Sequence, residues 1–217
     1  MVRPGNRPAT IADLDWTDPM TSIRTALPFA LALVILAGPA PAADTPDANA
    51  KKNATATVNL LKNGDFEALN PRGGAAHWIN KQHAGVRAYD FRVVEEGVHG
   101  DKRSMMIRRL QKQVWGKTEQ IVPVAAELAG KTVEFDVWMR GEQVGKKGYM
   151  IRVGAFAGSN LLDFAKSERH AGDSGWTKRS LRLTVPEFTS RLVVAVTLED
   201  AGTIWIDDAR LSVVAQP

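Results

Sequence analysis

The sequence predicts an all-β protein, an antiparallel β-sandwich of about eight strands. Apolar residues recur at every second position in short segments, and clusters of Gly, Pro, Asn and Asp separate these segments. This alternation is typical of half-buried strands. From residue 58 onward no segment keeps a helical period of about 3.6 residues over three turns. The chain also lacks a repeat of solenoid or propeller length.

The clearest alternation predicts which side chains face the core. Its apolar residues are Val133, Phe135, Val137 and Met139, and its polar ones are Glu134, Asp136, Trp138 and Arg140. A period of two places these sets on opposite faces of a sheet. A single helical turn is expected at Val124–Leu128. Strands are predicted at Ser104–Arg109, Glu119–Val124, Val133–Arg140, Gly148–Ala157, Lys178–Val185, Arg191–Leu198 and Thr203–Val213, with an eighth near Tyr89–Glu95.

The first 43 residues have the pattern of an export signal with a displaced start. An apolar run, Ala26–Ala37, follows Arg24 and precedes small residues that end at Ala43. A membrane-spanning helix needs about 20 apolar residues, so the run is too short and cleavage after Ala42 or Ala43 is expected. Because the preceding residues are polar, we expect translation to begin at Met20.

After the export signal, the sequence predicts a linker and a single domain. Residues 44–57 are small and polar, as expected for a flexible linker, and residues 58–217 form the domain. No later hydrophobic stretch reaches spanning length. We therefore expect a periplasmic or secreted protein, a monomer without a membrane span in its mature form.

Composition excludes several classes of function. The chain has 217 residues, of which 44% are hydrophobic and 24% charged, which is ordinary for a globular protein. Lys and Arg exceed Asp and Glu by 28 to 24, a net charge of +4 that does not predict nucleic-acid binding. The absence of cysteine excludes disulfides, thiol catalysis and cysteine-ligated metals.

None of the common catalytic motifs is present in the sequence. There is no G-x-S-x-G, phosphate loop or dinucleotide fingerprint, and the four histidines lack metal-ligand spacing. One alternative stays open, because Glu134 and Asp136 share a face and two carboxylates can hydrolyse a glycoside.

A series of motifs in fixed order resembles the jelly-roll carbohydrate-binding modules of families 4, 9 and 22, which have a galactose-binding-like β-sandwich fold. The resemblance spans about Val58–Val214 and implies a module that binds a polysaccharide or oligosaccharide without catalysis. The motifs are Asn63–Glu67, Trp78, Gly97–Gly100, Ser104–Ile107, Gln120–Val122, Gly130–Arg140, Gly175–Thr177, Val185–Pro186 and Ile204–Leu211.

The resemblance also implies a structural Ca²⁺ ion. In the family pattern, Glu67 and the pair Asp207 and Asp208 come together at the ion, and carboxylate oxygens are the ligands that Ca²⁺ prefers. Neighbouring residues of a strand point to opposite faces, so only one of the pair is expected to be a direct ligand, and we take Asp208 as the candidate. The alternative is that these acids cap a turn and pair with Arg210 or a lysine.

Sugar binding requires an aromatic ring for the C–H face of the sugar and planar polar groups for its hydroxyls. Trp138, Arg140 and Asp136 offer this mixture on one strand face. Trp115 lies in a polar segment, where the family often carries a binding aromatic. We expect all four to contact the glycan. Alternatively, Trp138 lies under a loop, Trp115 anchors one, and the domain is a structural or protein-interaction module; burial of both indoles would favour that alternative.

The remaining aromatic residues and the cationic residues are not assigned to the binding site. Trp176 and Trp205 are expected to pack in the core or at a sheet edge, whereas Trp78, Tyr89 and Tyr149 are left open. The densest cationic positions would suit an acidic glycan or, alternatively, a solvated sheet edge. They are Lys102, Arg103, Arg108, Arg109, Lys112, Lys117, Lys146 and Lys147.

Overall fold

The computed structural model describes residues 58–215, and it is all-β as predicted. The predicted start at Met20, the export signal and the linker of residues 44–57 lie outside these residues. No helix in the described part of the chain is long and apolar enough to cross a membrane. The strands are β1 (Ile79–Gln82), β2 (Tyr89–Val94), β3 (Ser104–Arg109), β4 (Gly116–Pro123), β5 (Thr132–Ala157), β6 (Asn160–Lys166), β7 (His170–Thr184), β8 (Arg191–Leu198) and β9 (Thr203–Val213).

The strands form an antiparallel sandwich of the jelly-roll type, and β5 runs through both of its layers. Residues 132–144 of β5 pair with β7 and β9, and the order β7-β5-β9-β3-β2 makes what we call the front sheet. Residues 149–157 pair with β8 and β6, and the order β6-β5-β8-β4-β1 makes the back sheet. A strand of 26 residues is long enough to serve both sheets.

The core lies between the layers and confirms the predicted alternation. Val133, Phe135, Val137 and Met139 of the front sheet are all 0% exposed. Leu192, Val194, Val196 and Leu198 of the back sheet are equally buried. The residues left open by sequence, Trp78, Tyr89 and Tyr149, belong to this core. Burying such side chains contributes about 1.5–3 kcal/mol each, which makes this packing the main source of stability.

The structure differs from the predicted strands where local sequence carries little signal. The predicted strands Val133–Arg140 and Gly148–Ala157 are one continuous strand, which is interrupted only by register shifts. Strand β1 is short and polar, and β6 leaves Leu162 and Phe164 each 41% exposed, so neither shows clean alternation. The predicted helical turn is a 3₁₀ turn at Ala126–Leu128.

Candidate functional site

A polar cleft of about 470 Å³ lies on the outer face of the front sheet, beside the indole of Trp138. We call it the Trp138 cleft. Three residues of one wall of the cleft are brought together by strand pairing. Trp138 of β5 is paired with Lys178 of β7, and Asp136 lies two residues away from Trp138 on the same face of β5. Its lining residues are Asn59, Leu61, Asn63, Gly64, Asp65, Asp136, Trp138, Lys178, Asp208, Ala209 and Arg210.

A β-bulge in β9 directs the carboxylate of Asp208 into the cleft. Asp136 pairs with Arg210 while Trp138 pairs with Asp207, so β9 carries one residue more than β5 at this point. Asp208 adopts a left-handed backbone conformation, with φ of 48°. Bulges of this kind redirect a side chain and are common beside functional sites. The bulge therefore places a third carboxylate, after Asp65 and Asp136, around the cleft.

Glycine at position 64 permits the close contact that supports the bulge. The amide of Ala209 donates a hydrogen bond of 2.8 Å to the carbonyl oxygen of Gly64. A Cβ atom at Gly64 would overlap the carbonyl oxygen of Ala209. Gly64, which belongs to the Asn63–Glu67 motif, thus lets the N-terminal segment lie against β9.

Charged groups on the cleft floor are paired with one another. Asp136 is 8% exposed and accepts a hydrogen bond of 2.5 Å from the Ser180 hydroxyl. The Lys178 ammonium lies 2.9 Å from the other Asp136 oxygen and is half exposed. Asp136 is thus held in place from two sides, while Lys178 keeps hydrogen-bonding capacity toward the cleft.

The loop between β2 and β3 covers part of Trp138. The His99 ring stacks on the indole with centroids 4.0 Å apart, and Trp176 meets His99 edge-on at 5.5 Å. His99 Nδ1 lies 2.7 Å from an Asp208 carboxylate oxygen. Trp138 nevertheless stays partly exposed and lines the cleft. Trp138 therefore lies partly under a loop, as in the alternative considered from the sequence, and part of its indole also remains accessible to a ligand.

Asp207 anchors that loop instead of lining the cleft. It is 1% exposed, and its carboxylate accepts hydrogen bonds from the amides of His99 at 3.0 Å and Gly100 at 3.1 Å. Burial raises the pKa of the Asp207 carboxyl above its ordinary value, although these amides partly oppose the shift. The side chain predicted as a metal ligand is thus used to fix the loop over Trp138.

Arg140 lies on the same face as Trp138 but in a neighbouring recess. Its guanidinium carbon is 4.5 Å from the centre of the Trp205 ring, within the range of a cation–π contact. Both line a recess of about 720 Å³, together with Met106 and Arg92. The structure therefore brings Asp136 and Trp138 together and leaves Arg140 outside the cleft.

The exposure of Trp205 on the outer face was not predicted from the sequence. We expected it to pack in the core or at an edge, but it is partly exposed on the outer face, under Arg140. The alternation of the sequence did indicate this orientation. Ile204 and Ile206 on either side of Trp205 are both 0% exposed, and the period of two of a strand places Trp205 on the opposite face.

Trp115 was expected to contact the glycan, but the residue is only 8% exposed, which favours the alternative that it anchors a loop. His83 meets it edge-on at 5.8 Å, and the Lys117 ammonium is 5.2 Å from the ring centre. The amide of His83 also donates to the carbonyl oxygen of Trp115 at 3.0 Å. Trp115 therefore anchors a loop beside the back sheet, and it does not line the Trp138 cleft.

The predicted calcium ligands are not gathered at one point. Within residues 58–215 no group of three or more His, Asp or Glu side chains is placed to hold a metal. One oxygen of Glu67 accepts hydrogen bonds from the amides of Lys102 at 2.6 Å and Arg103 at 2.7 Å. The Arg103 guanidinium donates to the Glu67 carbonyl at 3.0 Å and to Glu95 at 2.9 Å. A side-chain cation thus lies at Glu67, and this donor set does not fit Ca²⁺.

Chelation therefore tests the ion directly. We expect the melting temperature to stay unchanged in excess EDTA, because only an ion bound to the native state would stabilise it by linkage. Replacement of Arg103 by glutamine should lower stability by about 1–2 kcal/mol, since hydrogen bonds to a charged group are lost. Lys102→Gln is the matched control, because this exposed lysine bonds to Glu67 through its backbone amide, which the substitution keeps. A melting temperature that falls in EDTA and returns with calcium would contradict this account.

The outer face of the back sheet carries ion pairs that were not predicted from the sequence. Glu119 is 1% exposed, and its oxygens lie 2.5 Å from the Lys81 ammonium and 2.7 Å from that of Lys117. Arg152 is 2.6 Å from Glu199, which Arg169 also contacts at 2.9 Å. Burial favours the neutral acid, but the two lysines outweigh it and lower the pKa of Glu119 below its ordinary value. These ion pairs stabilise the sheet that faces away from the cleft.

Solved structures of similar fold place the chain among jelly-roll domains. No family model and no curated protein matches the chain, so the comparison rests on structure alone. A family 61 carbohydrate-binding module in complex with β-1,4-galactotriose matches with a TM-score of 0.52 and 21% identity, over 73% of this chain and 100% of that one. The family 22 xylan-binding domain from Paenibacillus barcinonensis matches with a TM-score of 0.51 and 15% identity, over 76% and 99%.

The same fold also occurs in proteins with catalytic descriptions. A cyclase from Fischerella sp. TAU matches with a TM-score of 0.51 and 14% identity, over 74% of this chain and 100% of that one. The enzymatically active domain of bacteriophage CBA120 tailspike protein 4 gives 0.58 and 14% identity, but this chain spans only 21% of its length. At these identities the likeness establishes the fold, and it confirms the expected jelly-roll type of the carbohydrate-binding modules.

Proposed function

We propose that this protein is a non-catalytic glycan-binding module and that the Trp138 cleft is its binding site. The observation that carries the proposal is a partly exposed indole beside a carboxylate and an ammonium group, in a cleft of about 470 Å³. Clefts of about 300–1,000 Å³ are the usual size of small-molecule sites. Carbohydrate-binding modules among the structural neighbours support the same function.

The chemistry of the cleft suits a sugar ring. An indole offers an apolar surface for the C–H groups of a pyranose, and its Nε1–H can donate to a hydroxyl. Lys178 donates hydrogen bonds, whereas Asp208 accepts them, so both kinds of hydroxyl interaction are available. Asn59 and Asn63 serve as framework instead, because their side-chain groups already bond to the backbone.

Burial of both Trp115 and Trp138 would have favoured the alternative of a structural or protein-interaction domain. Trp115 is buried, but Trp138 is partly exposed, so sugar binding depends on Trp138. We propose binding without catalysis, because each carboxylate of the pair left open by the sequence is held in an ion pair. Glu134 pairs with Arg182 at 2.7 Å and Asp136 with Lys178 at 2.9 Å.

We also propose that the protein is exported and acts as a monomer. A periplasmic or secreted module would meet polysaccharide directly, and a monomer suffices because one chain provides the whole cleft. The apolar run and small residues that end at Ala43 support export.

Trp138→Ala tests the site. We expect a glycan array on the purified protein to identify a ligand, and the alanine variant to bind it at least about 30-fold more weakly, the usual loss for a central aromatic anchor. Trp138→Phe is the matched variant, since it keeps an aromatic ring and should retain part of the affinity. Thermal melts monitor folding. Unchanged affinity in Trp138→Ala, with the fold intact, would exclude this cleft as the site.

A further inference from the structure

A second recess carries an excess of positive charge and shares no residue with the Trp138 cleft. Its volume is about 520 Å³, and we call it the basic recess. We propose that the basic recess binds the carboxylate or sulfate groups of an acidic glycan, an inference that rests on the proposed glycan-binding function. Its lining residues are Arg109, Lys112, Gln113, Val114, Lys147 and Asp200.

A network around Asp200 fixes the shape of the recess. The Arg109 guanidinium lies 2.9 Å from one Asp200 oxygen, which also accepts the Ala201 amide at 2.8 Å. The other oxygen accepts the Lys147 amide at 3.0 Å. A Cβ atom at Gly145 would overlap the Asp200 carboxylate, so glycine is needed for this approach. Three segments of the chain are thereby held together before any ligand arrives, which reduces the cost of binding.

The charges that remain favour an anion. Three cationic side chains line the recess against one carboxylate, and that carboxylate is engaged by Arg109 and two amides. Lys112 and Lys147 are exposed, and neither ammonium forms an ion pair within residues 58–215. Carboxylate and sulfate oxygens would accept charge-assisted hydrogen bonds from these groups, which are stronger than neutral ones.

The recess also offers apolar surface, which favours a charged sugar over a free inorganic anion. Val114 is 42% exposed, and lysine side chains present aliphatic stems below their ammonium groups. At about 520 Å³ the recess is much larger than a single inorganic anion requires. A ring that carries an acidic substituent uses both the apolar wall and the cations.

Calorimetric titration with matched probes tests the inference. The probes are an oligogalacturonide, its fully methyl-esterified and uncharged form, and a heparin oligosaccharide, which separate carboxylate from sulfate. We expect at least one charged probe to bind about 10-fold more tightly than the uncharged one at low salt, with the difference shrinking as salt is added. The Lys112→Gln/Lys147→Gln double variant should lose about that advantage.

The control variant is Lys62→Gln/Lys131→Gln, which removes two exposed lysines away from the recess. It should keep the affinity of the wild type. Equal losses in both double variants, or equally tight binding of a DNA oligonucleotide, would assign the effect to general charge and overturn the inference. Failure of both charged probes to bind better than the uncharged one would overturn it as well.

The Trp138 cleft serves as a separate readout. If Trp138→Ala loses a neutral glycan that the lysine double variant still binds, the proposed function holds whatever the charged probes show. If no glycan binds the wild type at all, the proposed function and this inference fail together.

Discussion

Replacing Glu119 by alanine is expected to lower the free energy of unfolding by about 3–5 kcal/mol, the usual cost of removing one partner from a buried ion pair. Glu119 is 1% exposed and lies between the ammonium groups of Lys81 and Lys117. The variant leaves the Lys117 charge, whose side chain is 12% exposed, without its partner. A denaturant titration measures the loss, and for a domain of this size the melting temperature should fall by about 10 °C.

Glu134→Ala is the matched control, because it removes an acid from a more exposed pair. Glu134 lies 2.7 Å from Arg182, and their side chains are 25% and 63% exposed. Pairs of this kind contribute about 0–1 kcal/mol. A loss in Glu119→Ala no larger than that in Glu134→Ala would contradict the account of a buried ion pair.

The pH dependence of the Glu119 effect has a definite sign. Its pKa in the folded protein is lowered from the model-compound value of 4.5, because the two lysines outweigh burial. The stabilisation is therefore fully present above that value and is lost as the pH falls through the folded pKa. The stability difference between wild type and Glu119→Ala should be constant near neutral pH and shrink below pH 4.5.

Replacing Gly64 by alanine is expected to destabilise the protein by about 3 kcal/mol, at the upper end of ordinary overpacking. The new methyl group would overlap the Ala209 carbonyl oxygen, which is backbone and cannot move aside as a side chain can. The same change would displace the bulge that holds Asp208, so glycan affinity should fall together with stability. Chemical denaturation and a binding titration on the one variant check both effects.

Gly175→Ala is the control for the Gly64 variant. A Cβ atom at Gly175 meets nothing within 4 Å, so this variant should keep wild-type stability and affinity. An equally mild effect of Gly64→Ala would mean that the N-terminal segment can move away from β9. The close contact would then have no part in shaping the cleft.

The two layers of the sandwich could be predicted from the sequence because the alternation of apolar and polar residues is clear in their central strands. Alternation in residues 133–140 assigns each side chain to a face, and all four apolar residues of this segment are 0% exposed. Trp138 and Asp136 could be placed on the outer face for the same reason. Strand β1 escaped prediction because its sequence is polar, and it is stabilised by pairing with β4, which is distant in sequence.

The parts of the site that were not predicted depend on contacts between distant segments. Trp115 lies in a polar segment, but His83 and Lys117 bury it, and no local pattern reports that contact. The bulge at Asp208 depends on the close approach of Gly64, which lies far away in the sequence. Arg103 occupies the position beside Glu67 through a contact between two loops, which the family resemblance could not reveal.

The proposed function depends on contact between the glycan and the exposed part of the Trp138 indole. An NMR titration that follows the indole N–H signals of the ¹⁵N-labelled protein checks this contact, with the Trp138 signal assigned from Trp138→Phe. We expect the Trp138 signal to shift on glycan addition, while the signals of the buried Trp78 and Trp115 stay in place. A Trp138 signal that does not move while the glycan binds would contradict it.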